Sequence, residues 1–139
     1  HLWAALKPGT HEALERLHRA GLRLAVVSNS DGRAEEGLAA AGLLEWFELV
    51  IDSQVVGFEK PDPRIFHAAL ERMGLAPAEA LYVGDIYEVD VVGARGAGLD
   101  VILLDPLGNH TGRDVLTASG IAEVAAMILD GVSRSVFSV

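Results

Sequence analysis

Asp85 and Asp90 lie five residues apart, directly after the apolar run Ala80-Leu81-Tyr82-Val83 and Gly84. Two carboxylates so placed suit a hard cation such as Mg²⁺, which takes oxygen ligands and keeps several waters. Lys60 precedes Pro61-Asp62-Pro63 and offers a compact positive charge for a phosphoryl group. Ser28-Asn29 offers a hydroxyl, an amide and backbone N–H groups at a helix start, a cradle for phosphate oxygen. Hydroxyl, ammonium and metal site are the parts phosphoryl transfer needs, because that chemistry is mostly positioning and charge stabilisation. Each part also has a plain structural explanation. Gly-Asp is a common strand-to-helix turn, Ser28 starts a turn as readily as it binds phosphate, and Lys60 is an ordinary solvated lysine before a proline. Taken singly these explanations hold their own; three such sites in this order favour the chemical reading.

The elements that position these residues alternate in type. Ala80–Val83 is short, apolar and bounded by Pro77 and Gly84, so it reads as a buried parallel strand. Ligands of open parallel sheets sit beyond the carboxyl ends of strands, where Asp85 falls. Residues 88–97 read as the next helix, placing Asp90 about one turn in. Upstream, Pro8-Gly9-Thr10 reads as a turn and helix cap before an amphipathic helix over 11–20 with Leu14 and Leu17 inward. Leu22–Val27 and Glu48–Asp52 read as strands and Ala34–Ala41 as a helix, with Ser30 or Asp31 available to cap it. Asp62 and Pro63 form the cap and first position of a helix to Met73, with Ile65, Phe66, Ala69 and Leu70 buried. Asp100–Leu104 is a further strand, 109–117 a loop, and Ser119–Leu129 the last helix, with Ile121, Val124, Ala125 and Ile128 inward. Residues 133–139 read as a tail without a clear role. The alternation predicts a three-layer α/β/α domain with a mostly parallel sheet over residues 1–132.

Composition narrows the class. The chain has 139 residues, half of them hydrophobic, enough for one domain with a real core. No apolar run reaches the ~18 residues of a membrane span. There is no cysteine, hence no disulfide, thiolate metal site or cysteine nucleophile, which fits a cytoplasmic protein. Eleven basic against twenty acidic residues give a net charge of −9, which argues against nucleic acid as a partner. A small phosphorylated metabolite needs only local charge and stays open. His11 and His18, seven residues apart in the first helix, have no further ligands to make a metal site with them.

Three stretches carry a resemblance: Val26-Val27-Ser28-Asn29, Lys60-Pro61-Asp62-Pro63-Arg64-Ile65-Phe66, and Val83-Gly84-Asp85 through Asp90 with Gly93-Ala94-Arg95 and Ala97-Gly98. Together they resemble the haloacid dehalogenase-like hydrolases, mostly Mg²⁺-dependent phosphatases with a Rossmann-like core. The closer resemblance is to enzymes of the phosphoglycolate phosphatase and 2-haloacid dehalogenase type. It runs from about Pro8 to Leu104. It implies that Ser28 binds phosphate with Asn29 beside it, and that Lys60 steadies nucleophile and phosphoryl charge. It further implies Asp85 as Mg²⁺ ligand, with Asp90 as supporting acid in the same metal site. The reaction implied is attack by an aspartate on phosphorus, followed by hydrolysis of the aspartyl-phosphate. A 2-haloacid dehalogenase would use the same aspartate on carbon without metal. A non-catalytic domain that binds a phosphorylated ligand or a protein is the reading from another class.

The family's Asp-x-Asp-x-Thr/Val nucleophile motif is not found in this sequence; Asp52, Asp62, Asp105 and Asp114 stand in other contexts. By resemblance, roughly 80 to 100 residues that carry the nucleophile, the general acid/base and the substrate-selecting cap precede this stretch. The first residue is His1 rather than Met, which points to a processed or partial chain. The missing strand would lie mid-sheet, between Leu22–Val27 and Ala80–Val83. The sequence therefore predicts a gap there, with self-association or completion by an amino-terminal segment, and little or no activity for the isolated chain.

Overall fold

The computed structural model describes residues 9–110, 112–130 and 136–138. A six-stranded parallel sheet runs through it in the order β2-β1-β6-β3-β4-β5. The strands are β1 (Leu24–Ser28), β2 (Leu49–Asp52), β3 (Leu81–Gly84), β4 (Asp100–Leu104), β5 (Leu116–Ala118) and β6 (Val136–Ser138). The helices are α1 (Thr10–Arg19), α2 (Ala34–Ala40), the single turn α3 (Ser53–Val56), α4 (Pro63–Met73), α5 (Val92–Gly96) and α6 (Ile121–Leu129). Among the described residues, no helix is long and apolar enough to cross a membrane.

Strand pleating explains the two cores. Leu24 and Val26 of β1 face one way with Leu81, Val83, Ile102 and Leu104, against Leu14 and Leu17 of α1 and Val124 and Ile128 of α6. Ala25 and Val27 face the other way with Ile51, Tyr82 and Leu103, against Ile65, Phe66 and Leu70 of α4, Ala94 of α5 and Val91 just before it. Successive strand residues point to opposite faces, so a sheet covered on both sides needs apolar runs rather than alternation. That is the physical basis of the three-layer α/β/α architecture read from the sequence.

Several local expectations shift. Gly9, in a left-handed conformation (φ 85°), is the cap of α1, and Thr10 is its first residue; Pro8 lies outside the described residues. The short strand β5 begins within the stretch read as loop, and the single turn α3 follows β2 directly. The expected helix over 88–97 begins as a π-turn over Tyr87–Val91 and becomes α-helical only at Val92. Neither Ser30 nor Asp31 caps α2. Its first N–H groups are satisfied from β2, where Asp52 accepts from Ala34 N (3.0 Å) and Gly32 N (3.1 Å) while also capping α3 through Gln54 N (3.0 Å).

The largest departure is at the centre of the sheet. The expected gap between β1 and β3 is occupied by β6, drawn from the stretch read as a tail. Leu24, Ala25 and Val26 pair in parallel with Val136, Phe137 and Ser138, and Leu81 and Tyr82 pair with Val136 and Phe137. A three-residue strand has little propensity signal of its own. Here it is specified by two flanking parallel edges, each offering unpaired backbone groups.

Candidate active site

The carboxyl ends of β1, β2, β3 and β4 lie along one edge of the parallel sheet, bringing Ser28, Asp52, Asp85 and Asp105 to that edge. Lys60 enters from the loop ahead of α4. Its backbone is fixed by Asn29, whose Oδ1 accepts from Lys60 N (2.8 Å) and whose Nδ2 donates to Lys60 O (3.1 Å). Asn29, expected beside the substrate, thus has its amide committed to holding the Lys60 loop against the end of β1. Lys60 then joins Pro61 through a cis peptide bond.

The Lys60 ammonium is buried and donates to Asp90 Oδ1 (2.8 Å) and to the Tyr82 hydroxyl (2.9 Å). Asp90 is 1% exposed. Its other oxygen, Oδ2, accepts from the backbone N–H groups of Asp85 and Ile86, both at 3.0 Å. Asp90 therefore orders the turn that carries Asp85 and pairs with Lys60, so both oxygens are engaged within the chain. A buried charge of this sort persists because it is both paired and hydrogen-bonded.

Gly84 makes this arrangement sterically possible. A Cβ at position 84 would sit 2.3 Å from Asp90 Cβ and 2.4 Å from its Cγ. Gly93 does the same for the lysine loop: a Cβ there would meet Phe66 at 2.8 Å and the Pro61 Cα at 3.0 Å. The glycines around the two aspartates are thus places where side chain or backbone passes at contact distance.

Tyr82 was legible only as a strand residue. Its phenol is fully buried beneath the lysine, packed edge-on against Phe66 with ring centroids 4.9 Å apart. It lies 3.2 Å from Asp90 Oδ1 and 3.3 Å from Val27 O. Burial pushes its pKa well above that of an ordinary tyrosine, and the carboxylates of Asp90 and Asp85 push in the same direction. The phenol therefore stays protonated and accepts from Lys60. No sequence spacing signals this contact, since Tyr82 and Lys60 meet only through the fold.

Ser28, also buried, shares a 2.6 Å hydrogen bond with Ser30. Ser30 is held in turn by Ser53, which accepts from Ser30 N (2.9 Å) and donates to Ser30 O (3.0 Å). Asp85 is partly exposed and borders a cleft of about 400 Å³ that is also lined by Leu104, Asp105, Leu107 and His110. A larger cleft, of about 620 Å³, is lined by residues from Leu81 to Leu116 that include none of the proposed site residues. Among the described residues, no group of three or more His, Cys, Asp or Glu side chains is arranged to hold a metal ion. Asp90, whose oxygens are engaged within the chain, supports the Asp85 turn from behind. His11 and His18 lie on α1, outside this constellation.

Comparison with known proteins identifies the relatives of this chain. A bovine haloacid dehalogenase-like hydrolase domain-containing protein 3 is 43% identical over 102 residues, 73% of this chain and 40% of its own length. A glyceraldehyde 3-phosphate phosphatase from Methanothermobacter thermautotrophicus is 35% identical over 128 residues, 91% of this chain and 55% of its own. The crystal structure of a HAD phosphatase from Thermococcus onnurineus superposes with a TM-score of 0.83 at 31% identity, covering 92% of this chain and 59% of that one. The chain thus spans about half the length of the curated relatives it matches. A family model for haloacid dehalogenase-like hydrolases matches residues 2–98, and to that family this chain belongs.

Proposed function

We propose that this chain contributes the phosphate-handling half of a Mg²⁺-dependent phosphatase acting on a small phosphomonoester in the cytoplasm. The observation that carries the reading is the buried Lys60–Asp90 pair, 2.8 Å apart, with Asp90 also holding the backbone of Asp85. In this reading the pair ties the Lys60 ammonium, through Asp90, to the turn that carries Asp85. The phosphatases among the relatives support the choice of phosphorus over carbon.

In this reading Ser28 donates its hydroxyl to a phosphoryl oxygen. Lys60 neutralises charge on the transferring group while Asp90 and Tyr82 keep its ammonium in place. Asp85 would hold the Mg²⁺, with water completing the coordination, and the bound cation would neutralise phosphoryl charge. Asn29 acts by positioning the Lys60 loop. The nucleophilic aspartate, the general acid/base and the substrate-selecting cap would come from sequence outside these 139 residues. The isolated chain should therefore turn over little or nothing, since removal of a covalent nucleophile removes the main path.

The test has two arms. The pure 139-residue chain is assayed with p-nitrophenyl phosphate and Mg²⁺, and Mg²⁺ binding is followed by calorimetry. No turnover is expected, with weak Mg²⁺ binding that Asp85→Asn abolishes. Clear Mg²⁺-dependent turnover by the isolated chain would sink the proposed division of labour. Unchanged Mg²⁺ binding in Asp85→Asn would sink the metal assignment.

A further inference from the structure

The turn that carries Asp85 is held from two sides, and only one of them is buried. From below, Asp90 Oδ2 accepts from Asp85 N and Ile86 N, both at 3.0 Å. From the surface, the loop that joins β4 to β5 takes hold of the next residue, Tyr87. The Tyr87 hydroxyl donates to Asp114 Oδ1 (2.7 Å), 27 residues further on. Its ring lies 4.3 Å from the Arg113 guanidinium and stacks on His110 at an interplanar angle of 18°. Three residues of one loop thus converge on one side chain. Asp114 is fixed in turn to α5, where Arg95 donates to its backbone O and pairs with its carboxylate (3.3 Å). Arg113 pairs with Glu88, the residue after Tyr87 (3.7 Å). At the start of the loop, Asp105 accepts from Asn109 N (2.9 Å) and His110 N (3.0 Å). Among the described residues, nothing hydrogen-bonds the buried Nδ1 of His110, so stacking on Tyr87 sets the place of its ring.

The backbone makes Tyr87 a lever on Asp85. Tyr87 opens the π-turn, its carbonyl accepting from Val92 N, while Ile86 O accepts from Asp90 N (2.7 Å). A turn one residue wider than an α-helical one is rare, and it keeps its shape only where the surroundings determine it. The peptide units of Asp85 and Ile86 therefore sit between an internal support, Asp90, and an external one, Tyr87. The same loop supplies Asp105, Leu107, Asn109 and His110 to the wall of the 400 Å³ cleft that Asp85 borders. Tyr87 is bonded to both walls of that cleft, by backbone to one and by side chain to the other. We propose that Tyr87 is a positioning residue for this site, coupling the β4–β5 loop to the Asp85 turn so that the two walls keep one spacing. Tyr87 acts through the backbone of Asp85 and Ile86 rather than on a ligand. Each of its contacts is exposed and weak by itself, and their convergence on one ring makes them act together. The meaning of that spacing for a phosphorylated substrate rests on the proposed function; the coupling itself does not.

The experiment follows amide hydrogen exchange by NMR in the full 139-residue chain and in Tyr87→Ala, Tyr87→Phe and Asp114→Ala. The readout is the Asp85 and Ile86 amides, whose hydrogen bonds go to Asp90 and to none of the altered residues. Exchange at both is expected to accelerate about tenfold in Tyr87→Ala, and less in Tyr87→Phe, which keeps the ring contacts. Asp114→Ala should act like Tyr87→Phe, and combining the two should add little, because both remove the same hydrogen bond. The urea midpoints of these two variants should stay close to that of the unmodified chain, since exposed contacts contribute little to global stability. A role confined to the loop would accelerate only loop amides such as Asn109 and His110. Unchanged exchange at Asp85 and Ile86 overturns the proposal, and so does acceleration that comes only with a lowered urea midpoint. Tyr87→Phe and Asp114→Ala carry the test if Tyr87→Ala folds poorly. Mg²⁺ calorimetry on the same proteins separates this inference from the proposed function. Binding about threefold weaker is expected in Tyr87→Ala, and unchanged binding there overturns the positioning role. Accelerated exchange with no Mg²⁺ binding by the unmodified chain leaves the coupling standing while the metal assignment falls.

Discussion

The chain has two tyrosines, and they flank Asp85 from opposite environments. Tyr82 and Tyr87 each hydrogen-bond a carboxylate and each sit beside a cation. Tyr82 is sealed in the core against Asp90 and Lys60. Tyr87, at the surface, donates to Asp114 Oδ1 (2.7 Å), lies under the guanidinium of Arg113 (4.3 Å) and stacks on His110. Asp114 is paired with Arg95, and Arg113 with Glu88. Both phenols are raised in pKa, but for different first reasons: burial for Tyr82, the Asp114 hydrogen bond for Tyr87. The lesson is that similar partner chemistry does different work at different depths. The buried cluster fixes the geometry of a site, whereas the exposed one ties a loop down with interactions that water and salt can replace.

Breaking the buried cluster should have the largest effect. Asp90→Ala leaves the Lys60 ammonium without its partner and frees two backbone N–H groups, so a loss of about 3–5 kcal/mol is expected. Urea denaturation would check it. The Lys60→Met, Asp90→Leu double variant should be less destabilised than the sum of its single changes, because neither then leaves an unpaired buried charge. Additive losses would mean that the two residues do not act as a pair.

Gly84→Ala sharpens the comparison without touching charge. Its methyl would have to displace Asp90, which points to a cost of about 1–3 kcal/mol by overpacking. A midpoint indistinguishable from that of the unchanged chain would show that Asp90 moves freely and is not the rigid support described.

The tyrosines themselves give the next test. Raised phenol pKa values mean that the folded protein holds these protons more tightly than the unfolded chain. This stability is intact below about pH 10, the ordinary tyrosine value, and is lost as the pH rises beyond it. Absorbance titration at alkaline pH should show Tyr87 ionising in the folded state and Tyr82 only as the protein unfolds. Tyr82→Phe should flatten the alkaline fall in stability. Simultaneous ionisation of both phenols would remove the distinction in depth. The smallest effect is expected from Asp114→Ala. It should leave the urea midpoint within error while returning Tyr87 towards an ordinary phenol, and added salt should mimic part of that change.

Much of this was legible from residue order, and some was not, for identifiable reasons. Asp62-Pro63 marked the start of α4 because capping is a local interaction, and Asp62 does accept from Arg64 N (2.9 Å). The apolar runs marked the buried strands because a sheet covered on both faces demands them. Ser28, Lys60, Asp85 and Asp90 stood out by type and spacing, and the fold brings their elements to one edge. Asn29 and Asp52 were harder to read. Their side chains serve backbone groups far away in sequence, Asn29 at Lys60 and Asp52 at Ala34, and no spacing encodes that. Tyr82 was hidden in a strand whose apolar pattern it satisfies. β6 was hidden because its strand character belongs to the slot and not to its three residues.

The position of β6 also bears on how the protein is made. The centre of the sheet is the last described strand in the sequence, and Leu24 must wait for Val136 before that ladder can close. Until then the nascent domain consists of a β1–β2 pair and a β3–β4–β5 sheet, with an apolar cleft between them. Contacts so distant in sequence form late, and open apolar edges on a growing chain invite chaperones or aggregation. Pulse-labelled hydrogen exchange during refolding should find the slot-facing amides of β1 and β3 protected after those of β4. A chain of this topology must be synthesised as far as Val136–Ser138 before its described strands become one sheet.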